Sequence, residues 1–137
     1  MFIDDSDIIE IKVHYIKSGH RYEAKTEKEF QALDSEDEKK LYAVLNVKMA
    51  LLSWGLYNQL QEDAMTQNIS GETQFNFKVY KENRLKKLVK GWDAKGKDDK
   101  DVPVSDKAIS HLAPSIAETI LRAYDEESFV GDEEEKK

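Results

Sequence analysis

The stretch Leu41–Glu62, "LYAVLNVKMALLSWGLYNQLQE", decides how the rest of the chain is read. Leu41, Val44, Leu45, Leu52, Leu56 and Leu60 recur at helical intervals, and Met49 and Trp54 widen the stripe. Apolar residues three and four apart form one face of an amphipathic helix. Ser35 and Glu38 stand just upstream at capping-box spacing, a pattern that satisfies the free amides of a first helical turn. The spacing therefore predicts one long helix from about Glu36 to Glu62. Gly55 is its interior weak point, costing about 1 kcal/mol relative to alanine.

Upstream, Ile8–Ile16 alternates, with Ile9, Ile11, Val13 and Tyr15 on one face and Glu10, Lys12 and His14 on the other. That period of two is a half-buried strand. Ser18-Gly19 breaks it. The following "HRYEAKTEKEFQAL" is rich in helix formers, brings Tyr22, Phe30 and Leu33 toward one face, and predicts a short helix.

Downstream, "MTQNISGE" has turn chemistry, and "TQFNFKV" is either a second strand, pairing with the first, or the entry to a helix. "FKVYKENRLKKLVKGW" carries Tyr80, Leu85, Leu88, Val89 and Trp92 along a helical stripe. Ser105 suits the N-cap of a short helix over Asp106–Leu112, and Pro114 suits the first turn of a last one. The element order is then β-α-α-β-α-α-α. The expected fold is mostly α with a small two-stranded β element (α+β). Residues 1–128 form a single mainly helical domain with an N-terminal strand, and 129–137 form an acidic disordered tail.

The chain has 137 residues, a net charge of −7 and no cysteine. Its length suits one domain. The missing thiols exclude disulfides, zinc–thiolate centres and cysteine nucleophiles. The longest apolar run, Met49–Leu56, is too short to span a bilayer, and the acidic N-terminus lacks the bases of a signal peptide; the expectation is a soluble, intracellular protein.

No motif for chemistry stands out. "DAKGKDDKDVPV", Asp93–Val104, has the acidic density of a calcium loop. It nevertheless places Lys95, Lys97 and Val104 where an EF-hand needs oxygen ligands, and Asp98 where it needs glycine. No nucleophile elbow or phosphate-binding glycine loop is present, so neither catalysis nor a cofactor is expected. Lys78–Lys100 holds nine Lys/Arg against four Asp/Glu, leaving the rest of the chain near −12. Within it, Arg84, Lys86, Lys87, Lys90, Lys95 and Lys97 around Trp92 form a possible nucleic-acid stripe. The competing reading is an outer helix face, with Trp92 in the core.

Interaction through apolar surface is the better prospect. A chain this polar cannot hide a stripe on every helix in one small core. The candidate partner-binding residues are Trp54, Leu56, Tyr57 and Leu60 on one element and Ile116, Ile120 and Tyr124 on another.

The order of an apolar helix, Gly91-Trp92-Asp93, a charged loop, Val102-Pro103-Val104-Ser105, a short helix, Leu112-Ala113-Pro114 and a last helix resembles the tail assembly chaperones of tailed phages of the siphophage type, encoded next to the tape measure protein. The matching stretch is "LVKGWDAKGKDDKDVPVSDKAISHLAPSIAETIL". The front, "DDSDIIEIKVHYIKSGHRYEA", is similar to their opening strand and turn. The resemblance implies a non-catalytic factor in the host cytoplasm, absent from the mature virion. Its implied partners are the tape measure protein, which it keeps soluble, and the tail tube protein, which it recruits; self-association is compatible with it. The alternatives are a structural virion component, such as a minor tail or head–tail connector protein, and a small nucleic-acid-binding regulator using Arg84–Lys97.

Overall fold

The computed structural model of the chain describes residues 1–33 and 41–128. Six strands run β1 (Ile8–Ser18), β2 (Arg21–Lys25), β3 (Tyr42–Ala50), β4 (Met65–Gln67), β5 (Thr73–Phe75) and β6 (Val89–Trp92). The helices are α1 (Glu27–Gln31), α2 (Trp54–Asp63), α3 (Phe77–Leu88), α4 (Asp106–Ser110) and α5 (Pro114–Ser128). Strands β2-β1-β3-β6 form one antiparallel sheet, and β4-β5 form a separate two-stranded ribbon. With 38% helix and 31% strand, the fold is α+β built on a four-stranded sheet. This corrects the mostly helical expectation.

The correction originates in the stretch quoted first. Residues 42–50 form a strand, not helix, and pair antiparallel with β1 from Ile8↔Ala50 to Ile16↔Tyr42. Ile9↔Met49, Ile11↔Val47 and Val13↔Leu45 put large apolar side chains opposite each other on the core face. Such cross-strand pairs supply the stability that local propensity does not. The helix starts only at Trp54, where Ser53 Oγ accepts the Leu56 amide at 3.3 Å. The predicted Ser35–Glu38 cap and the acidic tail fall outside the described residues.

Two further elements differ from expectation. Residues 21–25 form β2, joined to β1 by a tight turn in which Gly19 has φ +62°, a conformation glycine adopts without a Cβ clash. Helix α1 is left with Glu27–Gln31. Thr73–Phe75 is a strand, yet it pairs with Met65–Gln67 and not with β1.

One face of the sheet is covered. Ile11, Val13, Leu45, Val47 and Met49 meet Ile116, Ile120, Leu121 and Tyr124 of α5 and Leu85 and Leu88 of α3 in one core. Helix α5 lies over β1 and β2, while α3 touches α2, α4, α5 and β6. The other face carries Glu10, Lys12, Asn46 and Lys48, as an antiparallel sheet with one solvated side does.

Gly91-Trp92-Asp93 ends an edge strand, not a helix. Trp92 pairs with Val47 and is half-buried against the core. Its indole Nε1 donates to the Val102 carbonyl at 2.6 Å. Asp93 takes the backbone and side-chain N–H groups of Asn46 at 2.8 and 2.7 Å. The charged loop between them is a small hairpin: Lys95 bridges Asp101 and the Val102 amide donates to the Ala94 carbonyl. The restart follows as expected, with Ser105 accepting the Ala108 amide at the start of α4 and Pro114 opening α5.

Candidate functional site

Helices α2 and α3 form a hairpin whose connection is the β4-β5 ribbon. The ribbon is anchored at its base, where the Asn76 amide donates to the Ala64 carbonyl at 2.8 Å. The Asn76 side chain then caps α3 by accepting the Val79 amide. A two-stranded ribbon has little stability of its own. Its tip is held by Asn68, whose side-chain oxygen accepts from the Ser70 amide and hydroxyl and from the Glu72 amide at 2.8–3.0 Å.

Along this hairpin runs an exposed aromatic strip. Met65 and Phe75 face each other across the ribbon, and both are exposed. Phe75, Phe77 and Tyr80 have ring centroids 5.3–6.4 Å apart. Tyr80 then joins Tyr57, Trp54, Leu51, Leu52 and Ile3 in lining a groove of about 810 Å³. Trp54 is 81% exposed and Phe77 61%. Phe75, Phe77, Trp54 and Tyr57 are exposed, with the half-buried Tyr80 between the ribbon cluster and the groove; apolar groups gathered in this way are unlike the single apolar residues any surface carries, and such patches mark binding sites.

Arg84 and Asp125 supply the polar part of the groove. The guanidinium stands 5.6 Å from the Tyr80 ring centroid and 5.7 Å from that of Tyr124, and Nη2 is paired with Asp125. Arg84 is only 8% exposed, and its Nε is buried without a hydrogen-bond partner. Burial pushes the Tyr80 and Tyr124 hydroxyls up from their ordinary value, with Arg84 opposing it in both. Both rings therefore remain neutral phenols beside the guanidinium at physiological pH.

The sequence-predicted partner residues divide. Trp54 and Tyr57 are exposed and line the groove. Leu56 is half-buried and packs against the core. Leu60, Ile116, Ile120 and Tyr124 are core residues with at most 5% exposure. Those four pack inward and are not surface contacts: Ile116, Ile120 and Tyr124 lie on the stripe of α5 that covers the sheet, and Leu60 is the buried residue of α2. Tyr124 alone among them also reaches the groove, while its hydroxyl donates to the Ala50 carbonyl.

Sequence reasoning does not single out Phe75, Phe77 and Tyr80 as site residues, and it brings in Arg84 only through the nucleic-acid alternative. Their signal was present in the clustering of three aromatics over Phe75–Tyr80. Arg84 was read as part of a surface stripe, but it is buried. Lys86 pairs with Glu82 and Lys95 with Asp101, while Trp92 is half-buried with its N–H committed. Lys87, Lys90, Lys95 and Lys97 are exposed, without the stacking platform that single-strand binding uses.

Among the described residues no group of three or more His, Asp or Glu is placed to hold a metal ion, and no helix is long and apolar enough to cross a membrane. No family model, curated protein or solved structure matches the chain.

Proposed function

We propose that this chain is a non-catalytic assembly factor of the tail assembly chaperone type, which covers apolar stripes of a long helical partner. The observation that supports the reading is the aromatic strip running from the ribbon through Phe77 and Tyr80 to Trp54. An amphipathic helix laid in an apolar groove loses its exposed stripe to the groove. The chaperone's net charge of −7 would then help keep the complex in solution.

The partner in this reading is the tape measure protein in the host cytoplasm, with the tail tube protein recruited afterwards. Co-expression with tape measure fragments tests it. Wild type should keep a fragment soluble, and Trp54→Asp and Phe77→Asp should lose it while remaining folded. Unchanged fragment solubility with both folded variants would exclude the strip as the contact. Mass spectrometry of purified virions should find the chain absent; a stoichiometric amount would assign it to the virion structure instead.

A further inference from the structure

The groove shows one sign of charge to solvent. Arg84 is part of its wall, but the guanidinium is buried beside the Tyr80 and Tyr124 rings and gives Nη2 to Asp125 Oδ1. Among the described residues it is the only basic group in the lining. The Asp125 side chain is half-exposed, and its second oxygen accepts no hydrogen bond from the described residues. An ionised carboxylate has acceptor sites for more than one partner. The α5 hydroxyls in the lining are already committed: Tyr124 donates to the Ala50 carbonyl and Ser128 to the Tyr124 carbonyl.

Aromatic faces complete the setting. Trp54 and Tyr57 stand three residues apart in the first turn of α2, which puts them on one side of the helix. Both are exposed, and both line the groove that Asp125 lines from α5. A carboxylate oxygen and two open π faces are what the groove offers a ligand, and each of them attracts a cation.

We propose that the groove takes one basic side chain, lysine or arginine, carried within the apolar stripe of the partner helix. The inference rests on the reading of the groove as a helix site and names the chemistry that this helix must present. The alkyl stem of the basic residue lies along the Trp54 and Tyr57 rings, as long cationic side chains bury their stems and keep their heads near water. Its nitrogen donates to the second oxygen of Asp125. An acidic side chain at the same place would face Asp125 and find no exposed cation, because Arg84 meets it only by leaving its carboxylate and the rings that cover it. The groove therefore selects amphipathic helices whose apolar stripe is interrupted by positive charge. The net charge of −7 favours the same partner at longer range.

Three synthetic amphipathic peptides test the selection. They share one apolar stripe and equal helicity by circular dichroism, and differ at one central position of the stripe: lysine, methionine or glutamate. Isothermal titration against the full chain should rank them in that order, with lysine over methionine by about threefold or more in Kd. That ratio should fall as salt is raised, since Asp125 is half-exposed. Asp125→Asn should abolish the lysine preference. Because it also leaves Arg84 uncompensated, Trp54→Leu supplies an independent reading. It keeps apolar surface on α2, removes the ring, and should narrow the same ratio in a chain whose circular dichroism is unchanged.

Equal affinity for the three peptides would overturn the basic contact and leave the groove standing as an apolar helix site. Tighter binding of the glutamate peptide would overturn it in favour of Arg84 as the recognising charge. A lysine preference retained by both folded variants would put the contact elsewhere on the acidic surface and overturn it as well. Binding of none of the peptides would overturn the inference and the helix-groove reading together.

Discussion

The guanidinium of Arg84 and the carboxylate of Asp125 form an ion pair that ties α3 to α5 beside the aromatic groove. The two partners are unequal: the Arg84 side chain is 9% exposed and that of Asp125 46%. Removing the carboxylate strands a buried charge, whereas replacing the arginine by an apolar side chain of similar length strands only a solvated one.

Asp125→Ala should therefore destabilise the fold more than Arg84→Met. The cost of a stranded buried charge is about 3–5 kcal/mol, and water reaching the half-open Asp125 side reduces this to about 1–2 kcal/mol. Arg84→Met should lie within about 1 kcal/mol of wild type, since it also removes the unpartnered Nε. Urea unfolding of the two variants checks the order; a larger loss with Arg84→Met would contradict it.

Trp92 fixes the charged hairpin by its bond to the Val102 carbonyl. Trp92→Phe keeps most of the ring packing and loses the bond, which should cost about 1 kcal/mol. Trp92→Ala also loses the half-buried ring, and the cost should rise to about 2–3 kcal/mol, below the ~3–5 of a fully buried tryptophan. Amide exchange should report faster opening of residues 94–102 in both variants.

Asp93 gives the edge strand a dependence on pH. Burial opposes its ionisation, but the side-chain and backbone N–H groups of Asn46 outweigh that and hold the carboxyl below its usual value. A depressed folded-state pKa contributes stability that is present above the unfolded value, near 4, and is lost as pH falls through the folded one. Asp93→Ala should be less stable than wild type at neutral pH, and the gap should narrow below about pH 4. A gap independent of pH would place the effect in packing and not in charge.

Much of the fold was legible in the sequence where one local signal acted alone. The alternation of Ile9, Ile11, Val13 and Tyr15 gave β1; Ser105 and Pro114 gave the starts of α4 and α5. It failed at β3, where two periods coexist. Leu41, Val44 and Leu45 satisfy helical spacing, while Leu45, Val47 and Met49 alternate. Only pairing with β1, some thirty residues away, selects the strand, and such a long-range choice leaves no local mark. The site was half legible for a related reason. An apolar surplus announces that some surface must remain uncovered, but burial is decided by what each helix faces. Helix α5 faces the sheet and hides Ile116, Ile120 and Tyr124, while the N-terminal end of α2 faces solvent and leaves Trp54 out. Arg84 looked like its lysine neighbours because sequence does not show which side of α3 meets α5.

The contrast between Leu60 and Trp54 tests that division within a single helix. Leu60 is wholly buried, six residues after Trp54, which is 81% exposed. Leu60→Ala leaves a cavity where a wholly buried side chain stood, and its surroundings cannot fully refill it, so it should cost about 2–5 kcal/mol. Trp54→Ala removes a side chain already in solvent, and its stability should remain within about 0.5 kcal/mol of wild type. Partner capture should respond in the opposite sense. Trp54→Ala should lose fragment solubilisation while folded, and Leu60→Ala should retain it at temperatures below its lowered unfolding midpoint. Thermal unfolding beside co-expression separates the two effects. If Trp54→Ala unfolded as readily as Leu60→Ala, the tryptophan would be structural and the groove would need another anchor. If both were stable and both captured the fragment, α2 would not be the contact helix.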